Sequence, residues 1–220
     1  MKNAAINRRT LGGLMTIGLG TAVLGRLAIR PAMAVPTSDE IELVRKANVT
    51  LAEAQHDPQF GNATDLFQNA KAVMVVPQLV KGGFFVGGEG GNGILMARHG
   101  AHWSYPAFYV LASASFGLQI GLEVAEVVLF VMSDRALNAW MHDEVKLGGQ
   151  AGLTVLVLGS NASAAATTNG GADVIAWAKS KGAYAGITLE GSVIKPRQEW
   201  NTAYYGRPMT PSQVLNQATG

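Results

Sequence analysis

Residues 106–133, "PAFYVLASASFGLQIGLEVAEVVLFVMS", constrain this chain more than any other stretch. They are aliphatic, aromatic or β-branched almost throughout, and Glu123 and Glu126 are their only charges. Such residues suit a pleated, buried surface. Gly117 to Gly121 offers a place to bend, so the segment is predicted as two strands. A chain built around it is rich in sheet. Composition agrees: 27 glycines in 220 residues and few aromatics suit a turn-rich, strand-rich fold better than a helical bundle. With 48% hydrophobic and 15% charged residues, the chain can bury a sizeable core and is not globally disordered.

Helices are predicted around this sheet. Ser38-Asp39-Glu40 is an N-cap with early acids, and Ile41, Val44, Ala47, Leu51 and Ala54 follow at helical spacing, giving a helix over 38–56. A shorter one is predicted over 62–70. "AVMVV" from Ala72 reads as a buried strand stopped by Pro77. "SDRALNAWM" has Ser133 as N-cap and Leu137, Trp140 and Met141 on one face, a helix of about two turns. "GGQAGLTVLVLGSN" gives another strand, residues 159–171 a loop, and "ADVIAWAKSKGAYAGITLEGSVI" a hairpin around Lys179 to Gly182. Helical residues near 197–204 and a short closing helix end the chain. The predicted fold is α+β: one β-rich domain whose twisted antiparallel sheet curls toward a barrel, with helices at its start, middle and end.

The N-terminus reads differently. Residues 1–34 have a basic start, an apolar stretch from Leu11 to Leu24 and a small-x-small ending at Ala32-Met33-Ala34. The apolar stretch is shorter than the roughly 20 residues that span a bilayer. Consecutive Arg8 and Arg9 favour twin-arginine export over a general secretory signal or an uncleaved anchor. The expectation is a signal peptide over 1–34, a mature domain over 35–220 and a periplasmic location. Five of the 17 basic residues lie in the leader, leaving 12 against 15 acids, a net charge of −3. That balance gives no electrostatic case for nucleic acid. The chain has no cysteine, which excludes disulfides, thiol catalysis and thiolate metal sites.

"KGGFFVGGEGGNG" at 81–93 contains Gly88-x-Gly90-x-x-Gly93, the spacing of a dinucleotide fingerprint. That fingerprint needs a helix after the turn and an acid about 20 residues on. The residues after Gly93 look strand-like, and no Asp or Glu occurs between Glu89 and Glu123. A nucleotide site is therefore not expected. Asn92-Gly93 reads instead as a hairpin turn, and the other glycines as places where strands bend or another backbone approaches closely.

No catalytic or metal-binding constellation rises above background. His99 and His102 could supply two metal ligands, but the third is missing, and "RHGAH" reads as an exposed hairpin turn. Glu123 and Glu126 fall on opposite faces of a strand, so one of them is expected at a strand end or buried against a cation. His142, Asp143 and Glu144 read as a solvated cluster at a helix end. No cofactor is expected.

From Lys71 onward the residues resemble the SYLF lipid-binding domain family, also called the yeast-type actin-binding family. The likeness runs through "AKAVMVVPQLVKGGFFVGGEGGNGILMAR", "FGLQIG", "KLGGQAGLTVLVLG", "SKGAYAGITLEGSVI" and "WNTAYYGRPMTPSQVL", and covers roughly residues 40–218. It implies a non-enzymatic module that binds membrane lipids. Phosphoinositides are the ligands of eukaryotic members, some of which also bundle actin beside a Src-homology-3 domain. This sequence departs from that pattern by lacking the partner domain and by its bacterial-type export signal. The ligand therefore carries over as a class, an anionic phospholipid. Two regions are candidates for the contact. Lys179, Lys181, Lys195 and Arg197 are the densest basic cluster after the leader, and each cation at an anionic surface contributes about 1 kcal/mol. They also read as an ordinary solvated turn. The helix over 38–56 carries Arg45 and Lys46 beside its apolar face, which either meets lipid or packs on the sheet. The competing function is a scaffold that binds another protein or itself.

Overall fold

The computed structural model describes residues 38–58, 63–83, 86–116, 121–142, 144–150, 152–158, 171–180 and 189–218. Arg8, Arg9, Ala32 and Ala34 of the expected leader, and Lys181, lie outside them, as do most residues of "FGLQIG" and "GAYAGIT".

Helices α1 (Ser38–His56) and α2 (Ala63–Asn69) come first. Strands β1 (Ala72–Gly83), β2 (Val86–His99), β3 (His102–Trp103), β4 (Ala107–Phe116) and β5 (Gly121–Val131) follow. Then come α3 (Asp134–His142), β6 (Val145–Lys146), β7 (Val155–Leu158), β8 (Val174–Ser180) and β9 (Val193–Pro196). Helices α4 (Gln198–Tyr205) and α5 (Pro211–Leu215) close the chain. The strands form one sheet in the order β6-β9-β4-β2-β1-β5-β8-β7, with β3 paired to the end of β2. Neighbours are antiparallel except β7 and β8, which run parallel. The sheet curls strongly into a half-barrel, so the α+β expectation holds.

Both faces of the sheet are covered, which explains the unbroken apolar runs of its central strands. One side gathers Met74, Val76, Leu95, Tyr109 and Leu129 against Trp140 of α3 and Leu215 of α5. The Tyr109 hydroxyl donates to the Trp140 carbonyl at 2.6 Å. The other side gathers Val73, Val75, Phe108, Phe130 and Trp177 against Leu43, Ala47 and Ala54 of α1 and Leu66 of α2. In α1 the buried positions Leu43, Ala47, Thr50 and Ala54 recur every three or four residues and make one stripe. That stripe packs on the sheet, while Ile41 of the predicted apolar face is exposed. Ser133 caps α3 as predicted, its Oγ accepting from the Ala136 N–H at 3.1 Å.

Two expectations fail here. Pro77 does not stop β1, which runs on to Gly83. The strand carries one extra residue relative to both β2 and β5, with the register shifting between Val75 and Val80 on one side and between Val76 and Leu79 on the other. This bulge accommodates a proline, which has no N–H for the ladder. Asn92-Gly93 is not a turn either. Both residues lie within β2, opposite Val110 and Tyr109 of β4. The glycines there serve close packing instead: a Cβ on Gly91 would sit 2.4 Å from the Gln78 carbonyl oxygen, and one on Gly93 2.7 Å from that of Val75. The expected close backbone approach is thus found at the bulge. No helix follows the glycines, so the fingerprint spacing has no phosphate-binding geometry around it.

Candidate functional site

The bulge builds the site. Val76 and Leu79 point to the α3–α5 side of the sheet, while the two residues between them, Pro77 and Gln78, both face α1. These two successive side chains line a cleft on either side of α1. The first, about 350 Å³, lies between α1, the bulge, β5 and β8. The second, about 400 Å³, lies between α1, the bulge, β2 and Trp200 of α4. Lys46 borders both, and its Nζ donates to Gln78 Oε1 at 3.2 Å.

The first cleft concentrates charge. Arg45, Lys46 and Lys179 reach it, beside Glu53 and Glu126, with Val49, Val124 and Pro77 as apolar wall. Lys179 on β8 stands directly opposite Glu126 on β5, and its Nζ is 3.2 Å from Glu53 Oε2. Glu126 is half-buried in this cleft, with its Oε2 fully enclosed and without a hydrogen-bond partner. Burial and then the charge of Glu53 push the Glu126 carboxyl up, while Lys179 and Thr50 pull it the other way. Glu42 holds the other two cations, with Oε1 2.6 Å from Arg45 Nη2 and 3.7 Å from Lys46 Nζ.

The predicted basic cluster is divided. Lys179 lies on β8 and Lys195 on β9, strands separated by four others in the sheet order. Lys195 pairs with Glu144 at 2.7 Å. Arg197 donates to Glu199 and to Asn92, both at 2.8 Å, and stacks over Trp200. Asn92 and Trp200 line the second cleft, so Arg197 stands at its edge. The structure thus brings Arg45, Lys46 and Lys179 together and leaves Lys195 elsewhere. Thr50 and Gln78 escaped the sequence reading. A proline inside an otherwise central apolar run was the signal that could have revealed the bulge.

His99 and His102 face each other across the β2–β3 hairpin, with Gly100 at φ +63° in its turn. His99 Nε2 lies 2.6 Å from the Leu215 carbonyl oxygen and ties the hairpin to α5. Among the described residues no group of three or more His, Asp or Glu side chains is placed to hold a metal ion. No helix among them is long and apolar enough to cross a membrane.

A family model described as Ysc84, Las17-binding protein actin regulator, matches residues 112–220. The chain belongs to this Ysc84, or SYLF, family. It is 30% identical over 190 residues to LAS seventeen-binding protein 3 of Saccharomyces cerevisiae, covering 83% of this chain and 41% of that protein. Protein YSC84 of the same yeast is 31% identical over 190 residues, covering 83% of this chain and 40% of its own length. SH3 domain-containing YSC84-like protein 1 of Xenopus laevis is 36% identical over 136 residues, with 61% and 41% covered. The chain thus spans about two-fifths of the length of these relatives. The family model is described as a Las17-binding actin regulator and the first of these relatives is named for binding LAS seventeen, names in keeping with a binding protein.

Proposed function

We propose that this SYLF domain binds the anionic headgroup of a membrane phospholipid at the cleft between α1 and the β1–β5–β8 face, with no chemical step. One observation carries the reading: Arg45, Lys46 and Lys179, from a helix and a strand far apart in sequence, converge on one cleft with an apolar wall. The cleft opens beside Val49, which with Ile41 exposes about half its surface on the outer side of α1. Cations for phosphate beside apolar groups for the acyl boundary suit a headgroup at an interface. On this reading residues 1–34 direct export, cleavage falls near Ala34, and the domain works at a periplasmic membrane face.

Co-sedimentation of the full chain with neutral and phosphatidylglycerol-rich vesicles tests the proposal. Binding should be confined to the anionic vesicles and weaken as salt rises. Lys46→Ala with Lys179→Ala should lower the affinity about thirtyfold, given about 1 kcal/mol per cation at an anionic surface. Binding that ignores lipid charge would sink it.

The relatives' names favour a second reading, a protein partner. It predicts a defined complex or oligomer that forms without lipid, which light scattering on the purified chain would reveal.

A further inference from the structure

Resting on that headgroup reading, we infer that Glu53 is a built-in competitor for the anion seat, and that a lipid phosphate binds by displacing its carboxylate from Lys179. The geometry is that of an occupied site. Glu53 Oε2 lies 3.2 Å from Lys179 Nζ, where a phosphate oxygen would sit to receive the same charge-assisted hydrogen bond. Each cation of the cleft already holds a carboxylate from α1 itself, Glu42 for Arg45 and Lys46, Glu53 for Lys179. Glu126, opposite Lys179 in the strand register, lines the same cleft.

The Glu53 contact is free to exchange. Its side chain is 42% exposed and that of Lys179 45% exposed, so the carboxylate can swing into water without unpacking α1. The buried stripe of Leu43, Ala47, Thr50 and Ala54, which holds the helix down, does not include it. A phosphate group that takes its place brings equal or greater charge to the same nitrogen. Glu53 thereby sets a threshold: weakly charged surfaces fail to displace it, and densely anionic ones succeed.

The experiment is a mutant cycle on the full chain, read as affinity for vesicles of phosphatidylglycerol in phosphatidylcholine and for phosphatidylcholine alone. Glu53→Gln should tighten binding to the anionic vesicles about two- to fivefold, the scale of one exposed ion pair. In the Lys179→Ala background the same substitution should do nothing, because the seat is gone. Tightening that persists in that background is a general effect of surface charge and overturns the inference. Wild-type binding that Glu53→Gln leaves unchanged or weakens also overturns it, while the headgroup reading stands. If neither protein binds any vesicle, both fall together. Inorganic phosphate serves as the soluble arm: if it binds to Glu53→Gln and the vesicles do not, the seat accepts free phosphate and the lipid source is rejected.

Discussion

At Gly91 the absence of a side chain is a packing requirement. Its missing Cβ would meet the Gln78 carbonyl at 2.4 Å and Val76 Cγ1 at 2.7 Å, backbone and core atoms that cannot step aside. Gly90, one residue earlier, has only the Leu111 carbonyl at 3.8 Å. Gly91→Ala should therefore lower stability by about 2 kcal/mol, and Gly90→Ala should stay within about 1 kcal/mol, compared by urea denaturation. Asp173 is the other residue on which much depends. Its buried carboxylate accepts from Ser133 Oγ, Arg135, the Thr154 N–H and Thr154 Oγ1, joining the start of α3 to the β7–β8 pair. Burial alone would raise its pKa; the bonds from Arg135, Ser133 and Thr154 overcome that and hold it well below the usual carboxylate range. A carboxyl depressed in the folded state contributes fully above its unfolded value of about 3.9 and loses that contribution as pH falls through the folded value. Asp173→Ala should remove about 2 kcal/mol at neutral pH, and its deficit should shrink in strong acid as the wild type also protonates.

Among the elements, β1 and α1 work as a pair. The bulge at Pro77-Gln78 turns two side chains toward the helix, and the helix answers with Lys46 on Gln78 and with Glu53 and Thr50 over β5 and β8. The hydrophobic stripe of α1 fixes the helix, while the polar residues at its margins are held in exposed pairs of small individual worth. Glu126, under this helix, works against stability at neutral pH. Its carboxyl is raised, so the folded state holds the proton more tightly, and the charged form is disfavoured as pH climbs above the unfolded value of about 4.3. Glu126→Gln should raise the urea midpoint at neutral pH, and the gain should vanish on acidification, where the wild type is already neutral. A midpoint that drops at pH 7 would mean that the Lys179 attraction outweighs burial.

Over the whole molecule, curling gives the sheet two different faces. The α3–α5 side collects residues from both ends of the strand order, including Val174 and Ala176 of β8 and Val145 and Ile194 of β6 and β9. The opposite side carries α1, α2 and α4, and both clefts open there. Ionic contacts are spread over this architecture in near balance. Arg45, Lys46, Lys179, Lys195 and Arg197 all have a carboxylate within 4 Å, so no basic patch stands uncompensated among these five. An anionic membrane must then compete with internal acids, and attachment should be steeply salt-sensitive and weak at physiological ionic strength. Vesicle binding unaffected between low and high salt would point to apolar insertion through Ile41 and Val49 instead.

The sequence by itself determined the elements whose signals are local. The cap at Ser133, the periodicity of 38–56, the two strands of 107–131 and the short helices at the end are set by neighbours a few residues apart, and the structure has them where the pattern put them. It also carried the SYLF motifs from which the family could be read. Pro77, Asn92-Gly93 and the basic cluster depended on distant partners. A proline ends a strand unless two flanking strands tolerate an extra residue, and Asn-Gly turns a chain unless two neighbours hold it extended. Lys179 and Lys195 lie sixteen positions apart in sequence, and strand order places four strands between them. Arg45 and Lys179, much farther apart along the chain, share a cleft because α1 crosses β5 and β8. Only the tertiary fold decides which charges become neighbours, since pairing across a sheet and packing across a helix do not follow distance along the chain.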